Sequence, residues 1–330
     1  MRIARICNKL VFLFYYLLRY KNFSLAFNLA NNNVPLRWCT DIVRRDDILV
    51  FGRTNCRLPI KVINKYYKRG LHYIVEILNN TPIDEIKETE KGIIFTAGGM
   101  SIFINNESNA GNFYEIVCRK MYEYHTISSE NIVLDIGMNT GVASLFFASK
   151  ENVTKVYAYE PFETTVADAK KNLELNPRIS KKITLFNYGV SNKNTKVTVP
   201  LFEDGSMQAS VNEDFIRIHH AKEIKKNQTI QIDLKDIKDI LTEIIKIEDL
   251  DNKGLILKID CEGEEYNIID RLNECGHLTT ISALLIEWHH KGPDSLVKTL
   301  KENNFKILVS PITTVDGTII SEAGMLYAFK

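Results

Sequence analysis

The stretch Ile132-Val133-Leu134-Asp135-Ile136-Gly137-Met138-Asn139-Thr140-Gly141 sets three β-formers ahead of an acidic residue and a glycine-bounded turn. It predicts a strand over 132–135 that ends on Asp135 and a helix over 142–149 that begins where the turn closes. Gly137 and Gly141 let backbone approach a ligand, and Asn139 tolerates left-handed geometry at moderate cost. Open α/β sheets bind ligands outside the carboxyl ends of their strands. Asp135, Gly137, Asn139 and Gly141 are therefore candidate cofactor-binding residues, and the helix start adds unpaired N–H groups that suit a carboxylate or phosphate.

Working outward, the pattern alternates. Strands are predicted over 155–159, 183–187, 255–259, 283–287 and 305–309, with helices over 162–175, 264–273 and 294–303 and a last strand over 324–329. This predicts an α/β fold with a doubly wound, mostly parallel sheet. Upstream, 93–96 and 101–104 form a hairpin around Ala97-Gly98-Gly99, followed by a helix over 113–124. The 330 residues exceed one compact α/β unit, so a division into 1–91 and 92–330 is expected. The first part reads as a mostly helical extension for acceptor or partner binding, with 60–78 helical apart from Gly70. Between 202 and 247 periodicity weakens, and Gly205 to Ser210 and His219-His220 sit in polar surroundings, as in a loop that carries specificity.

The spacing DxGxNxG departs from the dinucleotide pattern GxGxxG, because Asn139 stands where a glycine would let a pyrophosphate approach. A side chain there favours a smaller anion. The amino-acid part of S-adenosyl-L-methionine meets that description, with Asp135 placed to attract its ammonium directly or through water. Glu160 ends the second strand about nineteen residues after Gly141, where a carboxylate accepts ribose hydroxyls. Asn187 follows the third strand and is a candidate for the base, or else a turn residue.

Four segments in order resemble the FkbM family of methyltransferases over roughly 92–330: Val133 to Gly141; Ala158-Tyr159-Glu160-Pro161; Lys258-Ile259-Asp260-Cys261-Glu262-Gly263-Glu264-Glu265; and Ile286-Glu287-Trp288-His289. The resemblance implies a class I methyltransferase sheet with its last strand reversed, S-adenosyl-L-methionine as cofactor, and methyl transfer to oxygen on a sugar, glycan or other small metabolite. Gln231-Ile232-Asp233-Leu234-Lys235-Asp236-Ile237 is similar to a further family stretch, but Asp233 and Lys235 break it and no function is carried over.

Methyl transfer to a hydroxyl needs an aligned acceptor and a group that takes its proton. Strand alternation puts Lys258 and Asp260 on one side, and Glu287 and His289 on one side of the next strand. Asp260, Glu262 and His289 are the candidate catalytic residues, with Glu287 as the carboxylate that orients the imidazole and Glu264 and Glu265 serving the helix dipole. The set Asp260, Glu262, Glu287 and His289 also suits a divalent metal, but no tight ligand motif accompanies it and none is predicted.

Composition narrows the field. With 42 basic and 41 acidic residues the net charge of +1 offers no general attraction for nucleic acid, and no nucleic-acid partner is expected. Six scattered cysteines without a CxxC pair read as reduced thiols in a cytoplasmic protein. The apolar run Leu10 to Leu18 is too short for a bilayer core, which needs roughly twenty residues, and marks 1–21 as a packed helix or a peripheral membrane or partner contact. The competing readings are a nicotinamide-dependent oxidoreductase, disfavoured by Asn139, a nucleic-acid methyltransferase, and a non-catalytic cofactor-binding scaffold.

Overall fold

A computed structural model describes residues 2–31, 41–62, 70–124, 126, 128–202, 224–250, 252–313 and 319–330. The chain divides into two compact units, Met1–Met121 and Tyr122–Lys330. The division falls later than the boundary expected after residue 91, because the hairpin and the helix after it belong to the first unit.

In the first unit, α1 (Arg2–Tyr20) packs on α2 (Phe23–Asn31). Tyr16, Tyr20, Leu25 and Leu29 are buried, whereas Leu10, Val11, Phe14 and Leu18 form an exposed stripe on α1. Among the described residues no helix is long and apolar enough to cross a membrane. The expected helical extension also holds a three-stranded antiparallel meander, β1 (Ile42–Arg45), β2 (Ile48–Phe51) and β3 (Arg57–Pro59). Short strands of three or four residues, one of them ending on a proline, give too little alternation to register as a pattern. Of the expected helix over 60–78, Ile60 to Val62 are helical and α3 (Leu71–Asn80) starts after Gly70.

A second meander follows: β4 (Glu85–Glu88), β5 (Ile93–Ala97) and β6 (Met100–Ile104). Gly98 and Gly99 take φ of 57° and 76°, which makes the two-residue hairpin turn. The next helix, α4 (Glu107–Phe113), starts and ends earlier than predicted. Asn106 accepts from the Asn109 N–H at 2.9 Å and caps it, and the chain then continues as one π-helical turn, Tyr114–Cys118.

The second unit is built on β7 (Glu130–Ile136), β8 (Val153–Tyr159), β9 (Ile183–Phe186), β13 (Lys253–Ile259), β14 (Ala283–His289), β15 (Lys306–Thr313) and β16 (Ile319–Phe329). Their order in the sheet is β15-β16-β14-β13-β7-β8-β9. Only β16 runs antiparallel, against both β14 and β15. Helices α5 (Val142–Ala148), α6 (Glu163–Glu174), α7 (Ile237–Ile247), α8 (Glu265–Glu274) and α9 (Asp294–Glu302) alternate with the strands. The core is the strands' own aliphatic runs, Ile132, Leu134, Leu255, Leu257, Leu284 and Ile286, closed by Ile268 and Leu272 of α8.

A small side sheet, β10 (Gly189–Ser191), β12 (Ile224–Asp236) and β11 (Thr195–Phe202), fills much of what was expected to be a loop. Residues 230–235 alternate apolar and polar, and Ile230 to Leu234 pair with Thr195 to Val199. Asp236 then caps α7, accepting from Lys238 N–H at 2.9 Å, and holds Arg271 at 2.8 Å. Gly205 to Ser210 and His219-His220 lie outside the described residues.

Candidate active site

Strand order reverses between β7 and β13, which is where an open α/β sheet forms its ligand crevice. The carboxyl ends of β7, β8, β13 and β14 carry nearly every residue singled out in the sequence. Gly137, Asn139 and Gly141 take φ of 77°, 55° and 80°, so the loop after β7 is a chain of left-handed bends. Gly137 is demanded less by a ligand than by its neighbour, since a Cβ there would stand 1.7 Å from the carbonyl oxygen of Asp260. A Cβ on Gly141 would meet Leu173 of α6 at 3.3 Å. Met138 is buried against Ala158 and Ala169 and packs the loop onto β8 and α6.

Glu160 closes this loop. Its Oε2 accepts from Asn139 N–H at 3.0 Å and its Oε1 from Phe162 N–H at 3.1 Å. Burial pushes its carboxyl up to about 7, against the pull of those two N–H groups. Asn187 donates to the backbone carbonyls of Glu160 and Pro161 at 3.0 and 3.2 Å, so its amide nitrogen fastens the loop. Asn139 Oδ1 and Thr140 Oγ1 are buried at the turn without a hydrogen-bond partner.

Asp135 is fully buried beneath the loop. Its Oδ2 accepts from Ser144 Oγ at 2.5 Å, and its Oδ1 lies 3.1 Å from Lys258 Nζ. The carboxylate expected to meet an ammonium is therefore already paired with one supplied by the chain. Lys258, itself only 2% exposed, donates to the Gly137 carbonyl at 2.6 Å and stands 3.5 Å from Asp260 Oδ2. Burial works against its charge, but Asp135 and Asp260 outweigh it and hold the ammonium above its usual pKa. Tyr122 donates to the same Asp260 Oδ2 at 3.0 Å. No sequence signal marked Tyr122, which precedes β7 and carries no motif. Lys258 was legible as a residue sharing Asp260's side of the strand and as the start of the segment that resembles the family, but not as the partner of Asp135.

At the far side, Asp260, Glu262, Glu287 and His289 come together. Their arrangement departs from the expected one in which Glu287 orients the imidazole. Glu265, fully buried, faces His289 Nδ1 at 3.2 Å and accepts from the N–H groups of His289 at 2.7 Å and Gly263 at 2.8 Å. That leaves Nε2 facing Glu262 at 3.6 Å and Glu287 at 3.7 Å. Nor is Glu264 a bare helix-start charge, since it accepts from Ser191 Oγ at 2.6 Å. The spacing of Glu264 and Glu265 hid these roles, because carboxylates at a helix start are common for the dipole alone.

Burial disfavours a charged His289, but Glu262, the Glu265 hydrogen bond and Glu287 outweigh it and hold the imidazole pKa well above its usual value. Burial pushes Glu262 up to about 7, His289 pulling the other way. Tyr266 donates to the carbonyls of His289 and Gly292 and fixes the turn that follows β14. Among the described residues, one donor atom each from Asp260, Glu287 and His289 lie within 4.8 Å of one another. Cys56, Cys118, Cys261 and Cys275 are free thiols.

A seven-stranded sheet with one reversed strand and a glycine-turn loop facing a carboxylate at the next strand end defines the class: a class I methyltransferase fold. Residues 135–307 match the model of the methyltransferase FkbM domain, and the chain belongs to that family. It is similar to Methyltransferase 1 of Beauveria bassiana (strain ARSEF 2860), 23% identical over 201 residues, 57% of this chain and 77% of that protein. It is 24% identical over 218 residues to the AMB antimetabolite synthetase AmbE of Pseudomonas aeruginosa, a match that takes in 57% of this chain and only 10% of the synthetase. A crystal structure of methyltransferase FkbM from Methylobacillus flagellatus KT aligns at 15% identity and a TM-score of 0.41, covering 82% of this chain and 57% of that one.

Proposed function

We propose that the chain transfers a methyl group from S-adenosyl-L-methionine to a hydroxyl of a sugar, glycan or other small metabolite. One observation carries the reading: Lys258 binds Asp135 and the Gly137 carbonyl on one side and Asp260 on the other, so a cofactor loop and a carboxylate edge meet over a single buried cation. The residues present fit the cofactor. Asn139 Oδ1 and Thr140 Oγ1 are orphaned polar atoms at the turn, and the Glu160 carboxylate, one step away, can accept further hydrogen bonds from ribose hydroxyls.

Glu160 would hold the ribose, and the backbone of 137–141 the amino-acid end, with Lys258 and Ser144 keeping Asp135 in place beneath it. When bound, S-adenosyl-L-methionine supplies an electrophilic methyl on a sulfonium, so that a new O–C bond forms as the S–C bond breaks and its electron pair stays on sulfur. Asp260 takes the hydroxyl proton in this reading. Tyr122 and Lys258 fix its Oδ2, and its side chain is the most exposed of the charged groups around Lys258 and His289. His289, whose Nδ1 faces Glu265 and whose Nε2 faces Glu262 and Glu287, orients the acceptor rather than serving as the base. Incubating the purified chain with labelled S-adenosyl-L-methionine and a panel of sugars and phenols tests this: label should move to an ether oxygen. Transfer only to carboxyl, amine or nucleic-acid acceptors would remove the reading.

A further inference from the structure

We propose that Asp260, Glu287 and His289 form a binding site for one divalent cation of the magnesium or manganese type, with Glu265 as the residue that aims the imidazole. The donor atoms come from the ends of two adjacent strands and lie within 4.8 Å of one another. Around a cation with bonds of about 2.0–2.2 Å, neighbouring ligands stand roughly 3 Å apart and opposite ones roughly 4–4.5 Å, so side-chain shifts of about 1–2 Å bring the group to bonding distance. Two carboxylates and one imidazole suit manganese or magnesium better than a thiolate-seeking metal.

The surroundings are those of a ligand held in readiness. Metal-binding histidines direct their second nitrogen to a carboxylate or carbonyl, which fixes ring orientation. Here Glu265 takes that place at Nδ1, and the same carboxylate is itself fixed by the N–H groups of Gly263 and His289. Nε2 is then the nitrogen turned to the cluster. On the aspartate, Tyr122 and Lys258 both engage Oδ2, which leaves Oδ1 as the ligand atom. Tyr266 pins the His289 carbonyl.

Its role rests on the methyl-transfer reading: it would hold the acceptor oxygen and ease loss of its proton, with Asp260 a ligand rather than a free base. Its existence does not rest on that reading. The test is binding of Mn²⁺ to the full chain after chelator treatment, followed by the loss of the free-ion paramagnetic resonance signal. One ion per chain is expected. His289→Ala and Asp260→Asn should each abolish it, Glu287→Gln should weaken it at least tenfold, and Glu265→Gln should weaken it about 10- to 100-fold.

Circular dichroism identifies variants that fail to fold, and the near-isosteric Glu287→Gln and Glu265→Gln keep the question open to an answer if His289→Ala does. No Mn²⁺ bound at millimolar concentration, or unchanged binding in folded Glu287→Gln and Glu265→Gln, overturns the site. Calorimetric titration with S-adenosylhomocysteine separates the two readings. Mn²⁺ bound without it upholds the cation site and removes the methyl donor, and the reverse result removes the cation site alone.

Discussion

Glu160 and Glu262 are both buried carboxylates whose pKa is pushed up to about 7, yet their surroundings differ in kind. Glu160 meets backbone, the Asn139 N–H of the loop after β7 and the Phe162 N–H of its own turn, and so ties that loop down. Glu262 meets the imidazole of His289, which Glu265 and Glu287 also face. The first loop is tied to Glu160 through its backbone, with Asn139 Oδ1 and Thr140 Oγ1 left as orphaned polar atoms. The second edge gathers titratable side chains with shifted pKa values, which is what chemistry on a proton or a cation requires. Among the described residues, Lys258 acts on both carboxylates.

The strongest way to break the contrast is to remove that shared group. Lys258→Met leaves Asp135 buried without its cation, and a loss of about 3–5 kcal/mol is expected in urea unfolding. A loss below about 1 kcal/mol would mean that Lys258 does not join the two regions. Next in size, Asp260→Asn should lower kcat by about 10²- to 10⁴-fold while S-adenosylhomocysteine still binds. An equal fall in cofactor affinity would merge the two regions into one.

Glu160→Gln should do the opposite, weakening S-adenosylhomocysteine by about 10- to 100-fold with little change in kcat at saturation. The sign of its pH dependence follows from the raised pKa: in the folded chain the carboxyl is neutral below about 7 and charged above it. If the charged form accepts the ribose hydroxyls, affinity should rise about tenfold from pH 6 to pH 8, and Glu160→Gln should flatten that rise. Stability runs the other way, because a carboxyl with a folded pKa above its unfolded one loses stability as pH climbs from about 4.3 to about 7.

The smallest effect is the control. Asp236→Ala, away from both regions, removes the cap of α7 and should cost about 1 kcal/mol without touching either binding reaction. Arg271 is the partner that holds the Asp236 carboxyl below its usual range, so the part of this stability owed to ionisation is present above about pH 4 and is lost as pH falls through the folded pKa. A mutant with an unchanged acid limb of the stability curve would contradict the pairing.

The sheet was legible because each strand is a short aliphatic run followed by turn chemistry, as in Ile132 to Gly141 and Leu255 to Asp260. The reversed last strand came only through resemblance, since periodicity carries no direction. At the site, Glu160 was placed by spacing and Asp260 and His289 by alternation. Glu265 and Tyr122 were not, because each acts on a residue remote in sequence: Glu265 on His289, and Tyr122 on Asp260. A single sequence records which residue is acidic, not whom it faces. The same limit hid β1–β3, whose strands are too short to show a period.

Lys258 leaves a thermodynamic signature that outlasts any assignment of roles. Its ammonium divides its interactions between the Gly137 carbonyl, Asp135 and Asp260, and the Asp260 amide is bonded to the Ile136 carbonyl at 3.1 Å. A ligand that draws Asp260 away shifts the cation's share toward the loop, and one that repositions the loop shifts it back. Were both regions to take a ligand, linkage would make that exchange reciprocal: whatever factor one imposed on the other's affinity would be returned unchanged.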